Sequence, residues 1–306
     1  MAVRNIFITG INGFVGSHLN RHLTKEGYSV TGSVRKSKNK MYFETGELDE
    51  FDDWNKYIKN TDVVIHVAAR VHKKNNSLMD EQKCIAVNCD ATIKLAKAAI
   101  KKGVRKFIFL STVGVNGGFT NGSKFSAISP HNPQNSYSKS KFLAESRLLN
   151  LCQNVPMELF ILRIPLVYGG NVPGNVFRLR KIIATGMPIP FGGIANLKSF
   201  IHIDNLNTYI SSCLLARTLK PLILFPSDKE DISTSDFVEL LTKLEGKKPN
   251  LFWFFPSFIN LLLRIVFKNN LADSLYKNLL VSDHVDGHYV NFHPVFNPKK
   301  YLRETK

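Results

Sequence analysis

The chain has 306 residues, room for one large domain or two intimate ones, and its 44% hydrophobic and 21% charged residues are those of an ordinary soluble globule. Forty-one basic against 24 acidic residues leave a net charge of +17, which suits nucleotides, phosphosugars, acidic membranes or nucleic acid as partners. Cys84, Cys89, Cys152 and Cys213 form no Cys-x-x-Cys pair and no metal-ligand spacing, so no metal site is expected and the thiols are read as buried or half-buried in a reducing compartment.

The first residues enter a strand with no charged leader and apolar core, so no signal peptide is expected and the protein is placed in the cytoplasm. Val3 to Thr9 is an apolar run that ends in Gly10-Ile-Asn12-Gly13-Phe14-Val15-Gly16, and a helical pattern follows over Ser17 to Glu26. Strand, glycine-rich turn and helix make a phosphate-binding unit: the glycines permit a tight turn, and the helix N-terminus offers free N–H groups to a pyrophosphate. The second strand, Tyr28 to Val34, should end at an adenosine ribose. There a carboxylate normally selects NAD, but no acid lies between Glu26 and Glu44; Arg35-Lys36-Ser37-Lys38 stands there instead. A cationic cluster at that point suits a 2′-phosphate, so NADP(H) is favoured and NAD is the alternative. Glu47-Leu48-Asp49 sits where a third strand would end, against the adenine.

Asp62 to Ala69 reads as a buried parallel strand whose small Ala68-Ala69 end lets a cofactor backbone approach, with His66 as a packed core histidine. A helix is expected from about Asp80 to Lys101, carrying Asn88 and an apolar face of Ile85, Cys89, Thr92, Ala96 and Ala99. The next strand, Val104 to Leu110, ends in Ser111-Thr112. A polar stretch from Asn116 to Ser136 reads as a flexible loop, and Tyr137-Ser-Lys-Ser-Lys141 opens the helix beyond it. The i, i+4 spacing puts Tyr137 and Lys141 on one face. The ammonium can then lower the phenol's proton affinity, so that the phenol exchanges a proton with an alcohol or ketone oxygen held by the Thr112 hydroxyl. Leu159 to Pro165 is another core strand, and this alternation of strands and helices indicates a doubly wound α/β sheet of the Rossmann type with helices on both faces.

Beyond Pro165 the alternation breaks down, and a smaller substrate-binding region is expected over 166–306, with residues 1–165 and a return near 199–217 forming the dinucleotide domain. Leu251 to Phe267 is the most apolar stretch, too short to span a membrane and broken by Pro256, Asn260 and Arg264. It reads as a buried or partner-facing helix, with peripheral contact to an anionic membrane as the alternative.

Seven blocks in order carry a resemblance: Gly10/Gly13/Gly16, His66-Val67-Ala68-Ala69, Val87-Asn88, Ser111-Thr112-Val-Gly-Val115, Tyr137/Lys141, Leu162-Arg163 with Val167-Tyr168-Gly169, and Phe200-Ile-His202-Ile-Asp204. Over nearly its whole length the chain resembles the extended short-chain dehydrogenases/reductases, in the branch of UDP-glucose 4-epimerase and related nucleotide-sugar enzymes. The resemblance implies Tyr137 as acid/base, Thr112 as the hydroxyl that orients the reacting oxygen, and Lys141 on the nicotinamide ribose. It adds Ser111, Asn88, Ile164 and Val167 to the cofactor set, and Arg70, Asn175, Pro190, Phe191 and Lys198 to a UDP-sugar site; Asp204 fixes the local fold. Lys198 stands where many relatives have arginine, which turns a bidentate clamp into a point charge. Asn116 replaces a usual tyrosine and Ala91 a usual glycine. The chain stops soon after Phe296-Asn-Pro-Lys-Lys300, short of the usual tail, so a more open pocket is expected.

Sugar 4,6-dehydratases of this superfamily follow the threonine with Asp-Glu; here Val113-Gly114 follows, which disfavours dehydration. Two reactions need only Tyr, Thr and Lys: reduction by NADPH of a UDP-4-keto-6-deoxy-(N-acetyl)hexosamine, a surface-polysaccharide precursor, and 4-epimerisation of a UDP-hexose with tightly held NAD. The missing acid and the Ala-Ala-Arg70-Val-His72 run favour the reductase. A non-catalytic cofactor- or RNA-binding role is disfavoured, since the Tyr/Lys pair is kept and no aromatic-basic interleaving occurs, so no nucleic acid partner is expected. Relatives commonly pair through two long helices, one carrying the tyrosine, and a homodimer is expected.

Overall fold

The structure is a computed structural model and describes residues 3–37, 42–71, 78–253, 275–282 and 290–304. Its strands are β1 (Asn5–Thr9), β2 (Ser29–Val34), β3 (Phe43–Glu44), β4 (Val63–His66), β5 (Lys106–Thr112), β6 (Glu158–Ile164), β7 (Leu166–Tyr168), β8 (Phe200–His202) and β9 (Leu222–Leu224). Seven of them form one parallel sheet in the spatial order β3-β2-β1-β4-β5-β6-β9, while β7 and β8 make a small parallel pair of their own. Successive side chains point to opposite faces. Ile6 and Ile8 of β1 enter one core with Leu19 and Leu23 of α1 (Phe14–Lys25) and Leu206 and Ile210 of α7 (Ile203–Leu215). Phe7 enters the other with Leu95 and Ala99 of α4 (Ala91–Lys101) and Ala144 and Leu148 of α5 (Ser136–Cys152). Both faces are therefore covered, which is why the strands read as continuous apolar runs.

The chain leaves β1 toward β2 and β3 on one side and returns to β4, β5, β6 and β9 on the other. A reversal of this kind opens a crevice beyond the carboxyl ends of β1 and β4. Lys106, buried at the start of β5, donates to the carbonyls of Cys213 (2.6 Å), Leu214 (3.0 Å) and Ala216 (2.6 Å), and so caps the C-terminal end of α7. With α7 on one face and β9 on the edge, the main sheet takes back a segment that runs on to Leu224, past the expected return near 199–217.

The expected single helix over 80–101 is instead α3 (Leu78–Ile85), a π-helical turn (Ala86–Asp90) and α4. The inserted residue turns the Asn88 side chain inward, where it accepts from Arg70 N (2.7 Å) and donates to Arg70 O (3.0 Å) and Ser140 Oγ (3.0 Å); such bulges recur at functional sites. The loop expected to be flexible, 116–136, is bonded at several points. Asn116 donates to Ser129 O (3.2 Å) and Pro130 O (3.1 Å), Asn132 N donates to Val115 O (2.9 Å), and Phe125 bridges to Val281. Its polar composition supplies these local bonds, which sequence patterning reads as disorder.

On the C-terminal side, β7, β8, α6 (Asn175–Ala184) and α8 (Thr234–Leu244) enclose a third core of Tyr168, Phe200, Phe237 and Ile183, with α9 (Pro298–Glu304) against α8. Among the described residues no helix is long and apolar enough to cross a membrane. Lys38, His72 and the apolar stretch beyond Trp253, from 254 to 267, lie outside the described residues.

Candidate active site

A cleft of about 580 Å³ lies at the reversal point of the sheet. Its floor is the turn after β1. Gly10 has φ 67°, the left-handed region, and a Cβ there would stand 3.1 Å from Ala68 Cα. Gly13 caps α1 without any side-chain bond, so the first-turn amides stay available to a ligand. Gly16 does not face the cleft. A Cβ there would fall 2.2 Å from Gly10 O, so its role is to let helix and turn pack closely. Of the expected cofactor set, Gly10, Asn12, Gly13, Phe14, Val15, Arg35, Lys36, Glu47, Leu48, Val67, Ala68, Ala69, Ser111, Tyr137, Lys141 and Ile164 line the cleft. Gly16, Asn88 and Val167 do not; Asn88 stands behind the wall on Arg70 and Ser140, and Val167 packs into the core. Val87, from the Val87-Asn88 block, also lines the cleft, and Ser33, Val34, Thr45, Gly46, Val71, Leu110 and Pro173 complete it; turn and strand-end residues of this kind carry no motif.

At the β2 end, the third strand stops at Glu44, and Glu47 lies in the turn beyond it. Gly46 N donates to Arg35 O (3.1 Å), which brings Glu47 beside the end of β2, with Glu47 Oε1 3.5 Å from Arg35 Nε. An acid, absent from β2 in sequence, thus stands beside its end from another segment.

At the opposite end, Asn135 and Ser138 form a capping box that starts α5 and sets Tyr137 and Lys141 in its first turns. Lys141 Nζ donates to Leu110 O (2.7 Å) and lies 4.3 Å above the Phe109 ring. Burial pushes this lysine down to about 7, opposed by the Glu145 carboxylate one turn on. Burial also pushes the Tyr137 phenol up to about 12. The expectation that Lys141 lowers Tyr137 is therefore not met: the phenol is moved by loss of water alone, in the direction opposite to the one expected. His66 behaves as the expected core histidine, bonded to Thr9 Oγ1 (2.7 Å) and Thr92 Oγ1 (2.9 Å) and held down to about 3 by burial and then by Lys141.

Behind Lys141 stands a network that sequence reasoning missed. Arg163 Nη2 and Nε donate to Glu145 Oε2 (2.7 and 3.0 Å), and Ser111 Oγ donates to Glu145 Oε1. Arg163 also donates to Asn116 Oδ1 (3.0 Å) and to His131 Nε2 (2.9 Å). The one available signal was Glu145 at i+4 from Lys141. Thr112, at the end of β5, accepts from Gly114 N (3.1 Å) and caps the turn Val113–Val115; it is adjacent to the cleft lining but not in it.

The remaining expected substrate residues stand apart from the cleft. Arg70 Nη2 pairs with Asp80 Oδ1 (3.2 Å). Asn175 begins α6, Pro190 follows Ile189, which bridges to Leu251, Phe191 leans on the third core, and Lys198, pushed down to about 8 by burial, pairs its backbone with Ile232. Asp204 is largely exposed; the carboxylate that fixes this region is Asp228, which accepts from Tyr168 OH (2.7 Å), His202 N (2.8 Å) and Asn205 Nδ2 (2.6 Å). Burial lifts Asp228 to about 6. Among the described residues no group of His, Cys, Asp and Glu could hold a metal ion.

The NAD dependent epimerase/dehydratase family matches residues 6–217. The chain belongs to this family. It is a nucleotide-sugar enzyme of the short-chain dehydrogenase/reductase superfamily. A UDP-glucose 4-epimerase of Vibrio cholerae is 37% identical over 250 residues, 78% of this chain and 75% of that one. An N-acetyl-alpha-D-glucosaminyl-diphospho-ditrans,octacis-undecaprenol 4-epimerase of Escherichia coli O157:H7 is 27% identical, covering 82% and 76%. In fold, the chain matches the UDP-glucuronic acid 4-epimerase of Bacillus cereus solved with NAD, at 22% identity, TM-score 0.75 and coverage of 97% and 94%. The family's dinucleotide fits the residues present: a glycine cradle that a Cβ would fill, an uncapped helix N-terminus, and a buried lysine beside a half-buried phenol at the far end.

Proposed function

We propose that the chain reduces a UDP-4-keto-6-deoxy-(N-acetyl)hexosamine with NADPH, in the synthesis of a surface-polysaccharide precursor. The observation that carries this reading is the β2 end of the cleft, where Arg35 and Lys36 are both on the wall and the Arg35 side chain is 70% exposed. A 2′-phosphate there replaces a weak exposed ion pair with a charge-assisted contact. A reduced nicotinamide, when bound, supplies the hydride that goes to C4. Tyr137 gives its phenolic proton to the 4-oxygen, the carbonyl becomes a carbinol, and the phenolate recovers a proton from water. Thr112 donates to the same oxygen. Lys141 holds the ribose and, when protonated, favours the phenolate; Ser111, bonded to Glu145, keeps the end of β5 in register with α5.

In this reading residues 1–165, with the return near 199–217, hold the dinucleotide, and 166–306 bring Asn175, Pro190, Phe191 and Lys198 to the UDP-sugar, with Arg70 at the junction. The protein works in the cytoplasm, where its four buried thiols stay reduced, as a homodimer.

A second reading, a UDP-hexose 4-epimerase with tightly bound NAD, is supported by the Vibrio cholerae relative and by Glu47, a carboxylate on the cleft wall placed to accept from a ribose 2′-hydroxyl. Denaturing purified protein and identifying what it releases separates the two. An empty protein that oxidises NADPH with a 4-keto sugar supports the reductase; stoichiometric released NAD sinks it in favour of the epimerase.

A further inference from the structure

One side of the C-terminal region sets large apolar side chains in water among basic ones. On α6, Phe177 and Ile182 are 45% and 50% exposed, Arg178 and Lys181 are exposed beside them, and Lys181 Nζ lies 4.7 Å above the Phe177 ring. Just past the helix, Met187 is 62% exposed. The segment after α8 runs alongside: Ile189 N donates to Asn250 O (2.9 Å), Phe252 N to Ile189 O (3.2 Å) and Gly192 N to Phe252 O (3.2 Å). It carries Lys247, Lys248 and Trp253, the last 60% exposed, and a cavity of about 310 Å³ lies between Met187 and the two lysines.

The charge here is one-sided. The sequence has no acid between Glu158 and Asp204, and none between Glu245 and Asp273. Glu245 itself is taken by Arg180.

We propose that this face docks on an anionic phospholipid bilayer, with Arg178, Lys181, Lys247 and Lys248 at the headgroup phosphates and Ile182, Met187 and Trp253 at the boundary with the acyl chains. Basic side chains are drawn to anionic lipid, and apolar ones beside them gain by leaving water at the same depth. Tryptophan suits that boundary, where one edge of its ring is wet and the rest is apolar. A second copy is a poor occupant, because a two-fold contact sets the basic patch against itself. Nucleic acid would use free stacking rings along a groove; here the Lys181 ammonium already lies over the Phe177 ring, and Ile182 and Met187, which cannot stack, supply much of the exposed apolar surface.

The chain supplies its own reporter. Of its two tryptophans, Trp54 is 1% exposed and Trp253 is 60% exposed. In the full-length Trp54→Phe variant, Trp253 emission is followed on adding vesicles that contain about one third phosphatidylglycerol or pure phosphatidylcholine, with co-sedimentation in parallel. The expected result is a blue shift and pelleting with the anionic vesicles alone, lost as salt is raised. Lys181→Glu with Lys248→Glu should weaken binding at least about tenfold while the melting temperature holds. No shift on anionic vesicles at low salt, or equal binding by the charge-reversed variant, overturns the proposal. A shift that grows with protein concentration before lipid is added assigns the face to a second copy and overturns it too, as does a larger shift with RNA oligonucleotide than with vesicles.

Discussion

The cleft carries an arginine–glutamate pair at each end. Between α5 and β6, Arg163 and Glu145 are each 1% exposed and meet through two short bonds; at the end of β2, Arg35 and Glu47 are 70% and 41% exposed and 3.5 Å apart. Both pairs join residues distant in sequence, but water separates their consequences. An exposed pair is worth about 0–1 kcal/mol, and a ligand can replace either partner at little cost. A buried pair is held because neither charge tolerates losing the other. The α5 end is therefore built to keep a fixed arrangement around Tyr137 and Lys141, and the β2 end is built to choose a ligand.

The largest effect should fall on the phenol. Tyr137→Phe is expected to lower turnover by about 10³-fold or more while dinucleotide binding, measured by fluorescence titration, stays unchanged; a variant with most of its activity would remove Tyr137 from the proton transfer. Next is the buried pair. Glu145→Ala strands Arg163 out of water and should cost about 3–5 kcal/mol in urea unfolding. Glu47→Ala should cost under about 1 kcal/mol. Comparable losses in the two variants would erase the contrast between the ends.

A third test uses pH. Lys141 is pushed from 10.5 to about 7 by burial, so across that window the unfolded chain binds a proton that the folded chain does not. Stability of the ligand-free protein should therefore rise with pH from about 7 toward 10.5, and the penalty for the buried ammonium is fully present below 7. In Lys141→Met that rise should flatten; an unchanged slope in melting temperature would assign it to other groups. The smallest effect is at the exposed pair. Arg35→Ala should weaken NADPH about tenfold and NADH little. Equal effects on both would discard the 2′-phosphate contact, and a selective loss of NADH in Glu47→Ala would favour the epimerase.

Much of the dinucleotide half was legible because its signals are local. Gly10 and Gly13 read as a turn before a helix, and Tyr137 and Lys141 share a face at i, i+4; β5 and β6 are apolar runs because both faces of the sheet are covered. The helix over 80–101 was legible as a helix, but not the π-helical turn at Asn88, where the side chain bonds to Arg70 and Ser140 from other segments. Likewise the Asn116–Ser136 loop looked free because its bonds join opposite ends of the loop, Asn116 to Ser129 and Pro130, or reach Val281 far along the chain. Asp228 escaped notice since nothing around it forms a motif; its partners Tyr168, His202 and Asn205 gather only when β7 and β8 pair.

The amino-acid order by itself determined the strands, the glycine cradle and the chemical groups of the site, since these depend on side-chain period, backbone freedom and residue type within one or two turns of chain. Only the tertiary structure decided what those groups do to one another. It put Glu47 beside Arg35, Glu145 between Ser111 and Arg163, and took Lys141 fully and Tyr137 partly out of water, so that their proton affinities move apart. Desolvation and charge pairing act through space, and distance through space is set by the sheet order.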